Sequence, residues 1–117
     1  MVRVIVEYRL KKGAEIGHLL LRLRTAAMSQ RGHISSETLI SSDDKSVILV
    51  ISTWDHMENW KTWKNSAERA DIENAIESLL SEKPVIQAYE VMSSEELEYL
   101  EDPSGWLQKK ERPHLGG

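Results

Sequence analysis

The chain reads as an α+β subunit: a four-stranded antiparallel sheet with two helices on one face, in the order β-α-β-β-α-β. Three observations carry this. Residues 2–10 alternate apolar and polar, the period of two expected of a half-buried strand. Val47-Ile48-Leu49-Val50-Ile51 is an unbroken apolar run of the kind found in central strands. Each of these is followed or preceded by a stretch with the 3.6 spacing of an amphipathic helix.

In the first strand, Val2, Val4, Val6, Tyr8 and Leu10 share one face, while Arg3, Ile5, Glu7 and Arg9 give the other a mixed character. Lys11-Lys12-Gly13 turns the chain into a helix with the stripe Ile16, Leu19, Leu20, Leu23 and Ala27, which Gly32 is expected to end. His18 falls on its polar side. Residues 33–42 form a weakly patterned strand, with Ile34, Ser36, Thr38 and Ile40 on one face and Ser35, Glu37, Leu39 and Ser41 on the other. A polar turn, Ser42-Asp43-Asp44-Lys45, leads into the strand 46–54.

The second helix starts where that strand ends in Trp54. Asp55 is expected to cap it through its carboxylate, with Glu58 three residues on completing a capping box. Trp60 and Trp63 share a face, so three of the four tryptophans lie between positions 54 and 63. Each brings a large apolar surface and one N–H that needs a partner when buried. The polar run Lys64-Asn65-Ser66 predicts a break, after which Ile72, Ala75, Ile76 and Leu79 restore helical spacing. Lys83-Pro84 stops the helix before a last strand, 85–92.

This order is the split βαβ arrangement of ferredoxin-like folds, which leaves one sheet face without helices. Ile5, Leu49 and Ile51 would make that face apolar, and a second copy packed against it is the simplest cover. Residues 93–117 read as an extension to the domain 1–92: Ser93 and Glu96 can box the start of a short acidic helix, 95–101, followed by an arm whose anchor is Trp106-Leu107. The arm is expected to lie on the partner subunit or on its own.

With 117 residues, 40% of them hydrophobic, the chain is long enough for a single core. A net charge of −4 disfavours a nucleic-acid partner. The lack of cysteine excludes disulfides, thiolate nucleophiles and cysteine-bound metal, and fits a cytoplasmic protein. The first ten residues alternate too regularly for a signal peptide, and no apolar run approaches the roughly 20 residues of a membrane span.

The stretch Asp55-His56-Met57-Glu58-Asn59-Trp60-Lys61-Thr62-Trp63-Lys64-Asn65-Ser66, following a strand that ends in Trp54, resembles the antibiotic biosynthesis monooxygenase domains over roughly residues 1–92. The resemblance implies a dimeric α/β barrel. A haem-degrading branch of that family uses an asparagine on the first strand, a tryptophan on the second helix and a haem-ligating histidine beyond it. Tyr8, Trp63 and Glu73 occupy those positions here, so the asparagine and the iron ligand are both gone, and the resemblance points away from haem.

Other members oxidise aromatic substrates with oxygen and no metal, flavin or other cofactor, the substrate anion supplying the electrons. That chemistry needs an apolar enclosure, donors for the anion and exclusion of water. Tyr8, Asn59, Trp63 and Arg69 are the candidate catalytic residues, with Trp54 and Trp60 as walls for a small aromatic molecule. A plainer reading makes the chain a non-catalytic dimeric binding or scaffold module. In it the tryptophans and Tyr8 fill the core, Asn59 is solvated, and Arg69 pairs with Glu73 four residues on. His33 and His114 read as an isolated strand-edge residue and a tail residue.

Overall fold

The structure, a computed structural model, describes residues 1–101. Its elements are β1 (Val2–Arg9), α1 (Gly17–Met28), β2 (His33–Ile40), β3 (Val47–Trp54), α2 (Met57–Lys64), α3 (Ala67–Glu77), β4 (Val85–Glu90) and α4 (Ser94–Glu101). The four strands form one antiparallel sheet in the order β2-β3-β1-β4, so β1 and β3 are central and β2 and β4 are edges. Trp106, Leu107 and the expected arm lie outside the described residues.

The alternation read in β1 is realised in its packing. Val2, Val4, Val6 and Tyr8 are buried beneath the helices, whereas Arg3 and Arg9 are exposed and Ile5 and Glu7 half-buried on the opposite face. Leu19, Leu23 and Ala27 of α1, Trp60 and Trp63 of α2, and Ile72 and Ile76 of α3 close over that valine stripe with Ile48 and Trp54 of β3. On the uncovered face, paired positions bring together Ile5 with Ile51, Leu49 with Leu39, and Arg3 with Tyr89. Leu39, Val85 and Tyr89 there are 42–49% exposed, so among the described residues this apolar sheet face has no cover.

The expected second helix is two helices. Ser66 ends one and starts the next: its hydroxyl donates to the Trp63 carbonyl at 2.8 Å and accepts the Arg69 N–H at 3.1 Å. Two expected caps differ. The N-cap of α2 is His56, without a side-chain bond, and Asp55 stands one residue too early to cap; its carboxylate instead takes the Asn59 amide at 2.7 Å. Helix α1 stops at Met28, ahead of Gly32, whose positive φ of 85° serves the turn into β2. The capping box of α4 does form, with Ser93 and Glu96 exchanging bonds of 2.9 and 3.1 Å.

Candidate functional site

A hollow between sheet and helices follows from the small side chains on the outer half of the helix-covered face. Paired rows run Val4–Ser52–Ser36 and Val6–Val50–Thr38, so the row that holds valine at the sheet centre ends in hydroxyl residues on the edge strand. Serine and threonine there leave unfilled volume beneath α1. The space is lined by Val6, Tyr8, Val50 and Ser52 from the central strands, Ser36 and Thr38 from β2, Leu20, Leu23, Arg24 and Ala27 from α1, and Trp60, Trp63 and Arg69. The volume open to a water molecule's centre is about 30 Å³, enough for one or two waters. Arg24 Nη2 donates to the Ser36 carbonyl at 3.1 Å and ties α1 to β2 across the outer side.

The inner end is charged and closed. Tyr8, fully buried, donates its hydroxyl to Glu73 Oε1 at 2.5 Å, and Arg69 Nη2 approaches the same oxygen at 3.3 Å. Arg69 and Glu73 side chains are 8% and 11% exposed, and the guanidinium lies 5.3 Å from the centroid of the Trp60 ring, a cation–π contact. Burial, then the adjacent Glu73 carboxylate, pushes the Tyr8 hydroxyl far above the ordinary tyrosine range, with Arg69 opposing. Tyr8 is therefore a neutral donor committed to Glu73. Glu73 is in turn occupied by its ion pair with Arg69.

Of the six residues singled out in the sequence, four meet at this hollow: Tyr8, Trp60, Trp63 and Arg69. Trp54 does not line it. It is fully buried behind Ser52, to whose hydroxyl it donates its indole N–H at 2.9 Å, and it packs on Trp60 and His33. Asn59 does not line it either, because its amide is turned to Asp55 over the backbone of Gly32. Ser36, Thr38, Ser52 and Arg24 went unread in the sequence; the signal was a strand whose inward positions are hydroxyls where a core strand would carry valine.

His33 is not the isolated residue it resembles in the sequence. It packs edge-on against Trp54, with ring centroids 5.2 Å apart, and its Nε2 is 2.7 Å from Ser36 Oγ. His18 and His56 are exposed. Among the described residues no cluster of His, Cys, Asp or Glu could hold a metal ion, and no helix is long and apolar enough to cross a membrane.

Solved structures share this architecture at low sequence identity. A conserved protein from Methanosarcina mazei Go1 matches with a TM-score of 0.72 at 16% identity, over 78% of this chain and 92% of its own. Rv0793 from Mycobacterium tuberculosis matches with 0.72 at 15%, over 80% and 96%. SnoaB, a cofactor-independent oxygenase from Streptomyces nogalater, matches with 0.71 at 14%, over 80% and 94%. These likenesses speak to the fold. No curated protein matches the sequence. The family model for antibiotic biosynthesis monooxygenases matches residues 1–75, well over half of the chain and the stretch that carries every residue lining the hollow; the chain belongs to the antibiotic biosynthesis monooxygenase family.

Proposed function

We propose that the chain is a cofactor-independent monooxygenase acting on a small electron-rich aromatic, a phenol or quinol held between sheet and helices. The observation that carries this reading is the hollow itself: tryptophan and leucine walls, serine and threonine hydroxyls along one side, and a guanidinium at each end, Arg24 and Arg69. Apolar walls hold a ring and exclude water, and fixed donors stabilise an oxyanion without reorganising. In the overall reaction a phenol and O₂ become a quinone and water: the ring C–H opposite the hydroxyl becomes a carbonyl, the phenol oxygen becomes the second carbonyl, and the substrate anion provides the electrons. The fold and one neighbour's described activity, cofactor-independent oxygenation, support it.

A ring needs more room than about 30 Å³, so binding requires α1 to part from β2 at the Arg24–Ser36 contact. The same small volume favours a second reading, a dimeric binding or scaffold module whose tryptophans fill the space. Oxygen uptake with a panel of hydroxyanthrones and quinols, under metal chelation, separates the two. Turnover by the wild type and a roughly 10- to 1,000-fold loss in Trp63→Phe support the oxygenase. Tryptophan quenching by the ligands without oxygen uptake leaves the binding module.

A further inference from the structure

We propose that His33 and Ser36 form a proton relay on the outer side of the hollow, which removes the hydroxyl proton of a bound phenol and hands it to solvent. The proposal rests on the reading of the hollow as a phenol site and adds the base that such a site requires. The geometry is unusual. In a regular strand, residues three apart point to opposite faces. Here β2 carries a register shift between His33 and Ser35: His33 pairs with Trp54, and Ser35 with the adjacent Thr53. The extra residue turns His33 to the helix-covered face that Ser36 also occupies, and bulges of this kind recur beside active sites because they re-aim a side chain. The result is the 2.7 Å contact between Nε2 and Ser36 Oγ, with Ser36 lining the hollow.

The step balances without an oxidant. The phenol O–H breaks as a new O–H forms on Ser36 Oγ; the original Ser36 O–H breaks as N–H forms on His33 Nε2. The products are a phenolate in the hollow and an imidazolium at its rim, and no electrons move. The tautomer required has its proton on Nδ1, leaving Nε2 to accept. From α1 the imidazole faces the Arg24 guanidinium, and from β3 the uncharged Trp54 ring. Burial and Arg24 hold the free imidazole below the ordinary histidine range, which keeps it a neutral acceptor at neutral pH. His33 is only half-buried, so it can release the proton. Tyr8 cannot do this work, since its own proton is held by Glu73.

The test uses 4-nitrophenol, a phenol that resists oxidation and changes absorbance on ionising. Binding is followed by tryptophan quenching, and the imidazole resonances by NMR, which four histidines keep resolvable. The relay requires that saturating probe raise the proton affinity of His33 roughly tenfold or more. It also requires that Ser36→Ala keep the quenching and lose that rise, and that His33→Gln bind the probe as phenol. Quenching with an unmoved His33 titration, or an equal rise in Ser36→Ala, overturns the relay. If the probe fails to quench the wild type, the phenol site itself is refuted and the relay with it.

Discussion

Replacing Glu73 with Gln should be among the costliest isosteric changes in this protein, and the structure allows its size to be worked out. The carboxylate takes the Tyr8 hydroxyl at 2.5 Å and the Arg69 guanidinium at 3.3 Å, with both charged side chains about nine-tenths buried. Removing one member of a buried ion pair costs about 3–5 kcal/mol because the other charge stays behind without its partner. The Gln carbonyl can still accept from both donors, and Arg69 keeps its contact with Trp60, so the lower end, about 3 kcal/mol, is expected. Tyr8→Phe leaves the pair intact and forfeits one bond to a charged acceptor, about 1.5–3 kcal/mol. Since both changes act on the same oxygen, the double variant should cost less than the sum by about 1 kcal/mol. Equilibrium urea unfolding followed by tryptophan fluorescence measures all three, and Tm should fall by about 12 °C or more in Glu73→Gln. A Glu73→Gln stability within about 0.5 kcal/mol of the wild type would show that the pair contributes nothing beyond what water supplies.

Because the folded-state Tyr8 ionises only far above pH 10 whereas the unfolded chain ionises near it, the unfolded state loses the proton first, and stability should fall as pH rises beyond about 10, by up to about 1.4 kcal/mol per pH unit. Tyr8→Phe should remove that component of the slope in alkaline urea titrations, and an unchanged slope would contradict the buried hydroxyl. Gly32→Ala should destabilise clearly more than Gly13→Ala. Both have positive φ, worth about 1–2 kcal/mol against an L side chain, but a Cβ at Gly13 meets nothing within 4 Å while one at Gly32 collides with Asp55 and with Asn59, whose Cβ stands 2.8 Å away. Equal losses would mean that β2 simply shifts aside. The bare sheet face should make the chain a dimer at micromolar concentration by sedimentation, and Ile51→Lys should dissociate it; a wild-type monomer would remove the face-to-face pairing.

The strands and helices were legible because their burial is one-sided, and period 2 and period 3.6 record which side. Even the helix break could be read, since Asn65 and Ser66 sit where the stripe should continue. Caps were less legible. Asp55 has the composition of an N-cap, but one residue of offset hands that position to His56, and no pattern encodes such an offset. At the candidate site, the large residues announced themselves: Trp60, Trp63, Tyr8 and Arg69 do meet. Trp54 and Asn59 lie in the same stretch and not in the hollow, because sequence proximity says nothing of which side a strand-end residue or an exposed helix face presents. The hydroxyls were invisible for the opposite reason, a void being made by what is small. His33 depended on a bulge, a two-against-one pairing that exists only when β3 is laid beside β2.

The break at Ser66 has a consequence for the geometry of charge around the hollow. Along one continuous helix each residue advances by about 100°, so Arg69, nine residues after Trp60, would stand roughly half a turn away from it. A single rod could not show both to the same space. Restarting the helix resets that angular phase, and the guanidinium comes to rest over the very ring it would otherwise have faced away from. Lengthening or shortening the two-residue joint, Asn65-Ser66, would rotate the charge relative to the aromatic wall while leaving every strand in register. The joint thus sets where the cation points independently of the sheet.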